Sequence, residues 1–226
     1  MARPESEYAT SYELSHETTL EGAAGLARSG AYQRVGVLNF ASARKPGGGF
    51  LGGARAQEES LARSSGLYPS LLTCPAFYEF HRAQETCLYS DRMIYSPACP
   101  VMRDDAGAWL PAPYLVDFIT SPAPNAGVIA RNEPDNLGRI PATLLERAGK
   151  ILALAAHQRC DALVLGAWGC GVFLNAPTTV ASVFHGYLRP GGAFYGHFRH
   201  IRFSIYDSAF GHPVHDAFAR RFADVL

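Results

Sequence analysis

The sequence predicts an α/β fold with a mixed, mostly parallel central sheet flanked by helices. Three observations predict it. Several short segments are almost continuously apolar, as strands covered on both faces are. A long amphipathic segment leads directly into one of them. Two glycine-rich loops follow such strands and run toward helix starts, the arrangement of an open α/β sheet.

Taken in order, residues 34–40, 114–120, 162–165 and 200–206 read as strands. Residues 141–157 read as a helix: Leu144, Leu145, Ala148, Ile151, Leu152 and Ala155 fall on one stripe that faces a core. That helix and the strand after it make half of a right-handed crossover. Asn175 is the expected cap of a further helix, with Pro177 in its first turn. The weakest stretch is 103–113, where Asp104, Asp105 and Gly107 indicate an exposed turn. It is too short for a domain boundary, and there is no repeat or low-complexity linker, so 1–226 reads as one domain.

Composition narrows the class. A hydrophobic fraction of 48% fills a substantial core, and 18% charged residues is too low for a disordered chain. Formal net charge is zero, which argues against a strongly basic surface for sequence-specific nucleic-acid binding. No apolar run reaches the ~18 residues of a membrane span, and the first eight residues lack the apolar centre of a secretion signal. Five cysteines (Cys74, Cys87, Cys99, Cys160 and Cys170) with no C-x-x-C pair indicate reduced thiols. A cytoplasmic monomer is the expectation.

The chemistry concentrates in two loops. Gly47, Gly48 and Gly49 follow the first strand, and Gln57, Glu58 and Glu59 come seven residues later. Glycines let a backbone approach a ligand and adopt positive φ; the carboxylates beyond them are acid-base groups at a helix start. A Glu-Glu pair alone is usually a solvated helix start, and the glycines at this spacing favour catalysis. The second loop, 166–173, runs from Gly166 through Trp168, Gly169, Cys170 and Gly171 to Val172 and Phe173. A glycine-rich turn before a helix presents backbone N–H groups to phosphate. No Lys-Ser/Thr follows, and the dinucleotide-binding glycine spacing is absent.

Other chemistry-bearing residues have plainer readings. Cys170 is a small filler rather than a nucleophile, since no partner histidine is identifiable. The pairs His197/His200 and His212/His215 read as polar surface residues, so no metal and no cofactor are expected. Tyr195, Phe198 and Phe203 default to core roles. Arg44 and Lys45 read as solvent-facing loop cations.

These residues resemble the poly(ADP-ribose) glycohydrolase family, in particular its compact bacterial-type members. The resemblance rests on residues 47–59, with support from 37–42, 64–68, 118–125 and 166–173, and spans about residues 36–207. It implies a macrodomain-like three-layer fold, poly(ADP-ribose) or ADP-ribosylated protein as substrate, and hydrolysis of the ribose–ribose O-glycosidic bond from chain ends. It makes Glu59 the principal acid-base residue and has Glu58 hydrogen-bond the substrate ribose. Gly47, Gly48, Gly49 and Gln57 then contact the ligand, and residues 166–173 bind its diphosphate. Ser42 stands where the animal enzymes have a ribose-contacting Asn, with Asn39 nearby as a substitute, and Phe203 is the candidate to stack on adenine. Residues 174–176 depart from the family's small glycine-rich continuation, and the chain has no room for the animal enzymes' accessory domain. Consecutive helical residues point about 100° apart, so both proton transfers fall to Glu59. The rival readings are a non-catalytic ADP-ribose reader and a hydrolase of mono-ADP-ribose conjugates.

Overall fold

The computed structural model describes residues 8–226. The chain runs β1 (Ser11–Ser15), α1 (Thr19–Arg28), β2 (Val35–Phe40), a 3-10 turn (Phe50–Gly52), α2 (Gln57–Ser64), α3 (Leu67–Leu72) and α4 (Pro75–Ala83). It continues through β3 (Ile94–Arg103), β4 (Trp109–Ser121), α5 (Ala126–Asn132) and a second 3-10 turn (Pro134–Arg139). The last elements are α6 (Ile140–His157), β5 (Ala162–Leu165), α7 (Pro177–Leu188), β6 (His200–Ser204) and α8 (Pro213–Phe222).

The strands form one sheet in the order β1-β6-β5-β2-β4-β3. Every neighbouring pair is parallel except β3 with β4. Alternate residues of each strand feed opposite layers: Val37 packs with α1, α2, α3 and α4, whereas Leu38 packs with α6, α7 and α8. Two apolar cores therefore sandwich the sheet, giving the expected three layers.

All four expected strands are present, and α6 matches its stripe except at Leu145, which is 47% exposed. It sits at the flank of the stripe and points past the core. The two strands that sequence patterning missed, β1 and β3, are the two edges of the sheet. An edge strand is half solvated and needs no continuous apolar run. Moreover, β3 carries Pro97 and Pro100, and its register shifts between Ser96 and Cys99, a disguise proline commonly gives an edge. The turn expected at 104–107 is real, with Gly107 at φ +86. It is the tip of the β3–β4 hairpin rather than a weak connection, because β4 resumes at Trp109. No helix among the described residues is long and apolar enough to cross a membrane. Segment 1–7, on which most of the secretion-signal reading rests, lies outside them.

Arg147 on α6 is almost wholly buried, yet its Nε donates to Asp91 Oδ1 (2.9 Å), Nη1 to the Pro122 carbonyl (2.8 Å) and Nη2 to the Leu88 carbonyl (3.0 Å). Truncating it leaves two carbonyls without a donor and Asp91 with Lys150 alone, and losing the hydrogen bonds of a buried charged group costs about 3 kcal/mol. Arg147→Ala is therefore expected to lower unfolding free energy by about that much in urea melts. Leu145→Ala, on the solvent side, is expected to cost about 1 kcal/mol or less.

Candidate active site

A cleft of about 690 Å³ opens at the C-terminal ends of the parallel strands, within the usual size for small-molecule sites. It is lined by residues following β1 (Thr18, Thr19, Leu20), β2 (Ala41, Ser42, Lys45, Gly48, Gly49), β4 (Ala123), β5 (167–173) and β6 (205–209), and by the start of α2. Parallel strands send all their exits to one edge, so five separate loops meet there.

Glu58 and Glu59 open α2, and both are buried. Their carboxylates diverge, as the helical geometry requires. Glu58 turns toward β2: its Oε2 accepts from the Ser42 amide (2.6 Å) and its Oε1 from Asn39 Nδ2 (3.3 Å). Burial pushes its pKa up to about 8, against the lowering effect of those donors and with the Glu59 charge adding to the rise. Glu59 turns toward the glycines, where its Oε1 accepts from the Gly49 amide at 2.8 Å. Its Oε2 has no partner among the described residues.

The glycine loop is shaped by the carboxylate it holds. A Cβ on Gly48 would lie 2.3 Å from Glu59 Oε1, and Gly48 sits at φ +62, so both space and backbone demand glycine. Gly47, expected at the ligand, is buried behind the wall, where a Cβ would meet Phe50 and Tyr68. Gln57 reaches the cleft surface, but its amide is committed to the scaffold. Oε1 accepts from Phe40 N (2.8 Å), while Nε2 donates to Leu38 O (2.7 Å) and to Thr19 Oγ1 (3.2 Å). It thereby mimics a ladder partner for the end of β2.

Three further expectations need correction. Asn39 is fully buried and holds Glu58 and Thr120 Oγ1 (3.1 Å), so it does not reach a ligand; of the proposed pair, only Ser42 lines the cleft. Phe203 is fully buried on the α7/α8 face, against Phe184, Phe218 and Phe222, so it cannot stack on a base. The aromatic that β6 delivers to the cleft is Tyr206, which is 68% exposed. Asn175 does not cap α7, whose N-cap is Ala176. Instead its Nδ2 donates to the carbonyls of Pro124 (2.8 Å) and Gly169 (3.0 Å), while Pro177 does occupy the first turn.

The loop at 166–173 is built for close approach. Gly169 has φ +74, and a Cβ there would lie 2.4 Å from that of Ala123; Gly166 abuts the Ser204 carbonyl. Among the described residues, the amides of Gly171, Val172 and Phe173 have no protein acceptor, which an anion-binding loop requires. The Trp168 ring is buried, with Nε1 on the Ser121 carbonyl (2.9 Å), so it anchors the loop rather than touching a ligand. Burial pushes the Cys170 thiol up to about 12, which keeps it neutral and unreactive. Val172 and Phe173 form the rim.

The remaining groups separate as follows. His200, read as a surface residue, is buried beside Ser11 and Glu13, and burial holds its pKa below the ordinary imidazole value. Phe198 is in the core, whereas Tyr195 is exposed. No group of three or more metal-ligating side chains gathers among the described residues. Besides Tyr206, sequence reasoning missed Thr18 and Asp105 as cleft residues. The only signal for them is the Asp104–Gly107 turn, whose destination in space is set by the fold.

A family model described as microbial-type PARG (poly(ADP-ribose) glycohydrolase), catalytic domain, matches residues 1–104. Among solved structures, the chain is similar to poly(ADP-ribose) glycohydrolase from Thermomonospora curvata bound to the inhibitor ADP-HPD. Identity is 54% and the TM-score 0.90, over 95% of this chain and 80% of that one. It is also similar to the Deinococcus radiodurans enzyme in complex with ADP-ribose, at 46% identity and TM-score 0.93, over 98% and 87% of the respective chains. No curated protein matches the sequence.

Two measurements probe this geometry. Gly48→Ala is expected to remove most catalytic turnover, by about a hundredfold or more, while the protein stays folded by circular dichroism, because the methyl displaces the Glu59 carboxylate. Glu58 is neutral in the fold and ionised when unfolded, so its favourable contribution is complete below the ordinary carboxylate range and is lost as pH rises through about 8. Glu58→Gln should therefore gain stability relative to wild type between about pH 5 and about pH 9, read by urea unfolding at both. A pH-independent difference would contradict the burial argument.

Proposed function

The chain belongs to the microbial-type poly(ADP-ribose) glycohydrolases, and from that premise we propose how its cleft carries out the hydrolysis. It is a glycosidase that cleaves the ribose–ribose O-glycosidic bond of poly(ADP-ribose). Glu59 is the acid-base residue, and the observation that carries this is its unpartnered Oε2. The Gly49 amide fixes one oxygen, and the other is left to face the scissile bond. Glu59 protonates the leaving ribose oxygen and then, as a carboxylate, takes a proton from the attacking water.

Glu58 supports the reaction in its neutral form. With a pKa near 8 it adds no like charge beside Glu59 and hydrogen-bonds the ribose. The terminal ribose rests on Gly48, Gly49 and Ser42. The diphosphate lies on the amides of residues 171–173, near the oxocarbenium-like transition state, whose charge it stabilises. Adenine stacks on Tyr206 in place of buried Phe203. A cleft of this size takes one ADP-ribose unit, which favours release from chain ends. The five unpaired cysteines suit a reducing compartment.

The test is ADP-ribose release from purified polymer by wild type and by Glu59→Gln, with ADP-ribose binding measured for both. Release is expected to fall by about 10²–10⁴-fold in the variant, with affinity retained. Near-normal turnover by Glu59→Gln would end the assignment.

A further inference from the structure

Four carboxylates line the cleft, Glu58, Glu59, Asp105 and Asp207, against two cations, Lys45 and Arg55. Both cations are exposed, and neither side chain has a hydrogen-bond or ion-pair partner among the described residues. Their neighbours in sequence are committed: Arg44 Nη2 donates to the Gln84 carbonyl (3.3 Å) and Arg63 Nη1 to the Ala54 carbonyl (2.5 Å). The diphosphate of the retained unit rests on the amides of residues 171–173 in the reading above. Both free cations are therefore left without an anion.

Arg55 is the one that borders the acid-base group. Gly49, whose amide holds Glu59 Oε1 at 2.8 Å, packs directly on Ala54. A Cβ on Gly49 would lie 3.0 Å from Ala54 Cβ and 3.7 Å from Glu59 Oε1, and Arg55 is the next residue. Its backbone is held on both sides. Ala54 N donates to the Gly49 carbonyl (3.2 Å), and the Ala56 carbonyl accepts from Ser60 N (3.0 Å) in the first turn of α2. Only the guanidinium is free. Nothing in the scaffold rewards a cation here, because the positive end of the α2 dipole lies beside it. Lys45 instead follows Ser42, whose Oγ accepts from the Lys45 amide (3.2 Å), on the wall where the retained ribose rests.

Hydrolysis of a ribose–ribose bond parts two sugars. One stays on Gly48, Gly49 and Ser42, and the other leaves once Glu59 has protonated its oxygen. The departing sugar belongs to the next ADP-ribose unit, so it carries a phosphate ester of its own. The planar fork of an arginine matches phosphate oxygens bidentately.

We propose that Arg55 binds the phosphate of the departing unit and forms a leaving-side subsite of the cleft. This rests on the glycohydrolase reading and adds a contact to polymer that free ADP-ribose does not make.

The experiment is steady-state hydrolysis of purified polymer by wild type, Arg55→Gln, Arg55→Lys and Lys45→Gln, at about 20 mM and about 300 mM salt. ADP-ribose is titrated calorimetrically into each protein. Arg55→Gln is expected to raise the polymer KM by about threefold or more at low salt, with ADP-ribose affinity unchanged. At high salt the gap should close, because an exposed ion pair is screened. Arg55→Lys should restore part of the loss, since it returns the charge without the fork. An unchanged polymer KM in Arg55→Gln would overturn the proposal. So would an equal loss of polymer and ADP-ribose affinity, which would put Arg55 on the retained unit or in the scaffold. An equal, polymer-only loss in Lys45→Gln would overturn it too, since diffuse attraction of a polyanion would then account for both. A wild type that binds ADP-ribose yet releases none from polymer would instead sink the glycohydrolase reading, and this subsite with it.

Discussion

Burying two adjacent carboxylates at the end of one strand is the constraint to which the catalytic half of this molecule answers. A charged carboxylate taken out of water costs several kcal/mol unless donors replace the solvent. Ser42 N and Asn39 Nδ2 do so for Glu58, and Gly49 N does so for Glu59. At Glu58 burial outweighs those donors and pushes the pKa up to about 8. The glycines follow from the same demand, because only a residue without Cβ leaves Glu59 its place. Gln57 completes the arrangement by fastening the start of α2 to β2 through two ladder-like hydrogen bonds. Residues that look like a ligand-binding motif are thus, in large part, the mounting of one carboxylate.

The other half of the cleft depends on backbone held by buried side chains. As β4 leaves the sheet, the carbonyls of Ser121, Pro122 and Pro124 are gripped by Trp168, Arg147 and Asn175. Buried carbonyls need such partners, and these come from α6 and from the connection between β5 and α7. The grip places Ala123 directly under Gly169 and so sets the height of the amide-lined loop. Trp168 and Asn175 lie within or beside that loop, which is therefore fixed to the strand exit it faces.

These two constructions give the cleft opposite electrical character on neighbouring strands. The β2 side presents carboxyls, and the β5 side presents amides and glycines. Since β2 and β5 are paired in the sheet, the glycine loop that holds Glu59 and the loop with the free amides leave neighbouring strands and line adjoining walls of the cleft. The β1/β6 end adds the exposed ring of Tyr206.

What the sequence determined by itself was everything with a local physical cause. The inner strands were legible because burial on both faces forces a continuous apolar run. Helix α6 was legible from its stripe, and the carboxylate pair and glycine loops from residue types that few other chemistries need. Edge strands β1 and β3 were not, because half-solvated backbone tolerates polar residues and proline. Only the tertiary structure decided which of these residues meet the ligand. Phe203 and Tyr206 are three residues apart on the same strand exit, yet one is sealed against α7 and α8 and the other is open. Asn39 and Ser42 divide in the same way, the first serving Glu58 from within the sheet. Asp105 reaches Thr18 across eighty-seven positions of sequence. Side-chain direction and long-range contact arise from how whole layers pack, and no local pattern of residues encodes that.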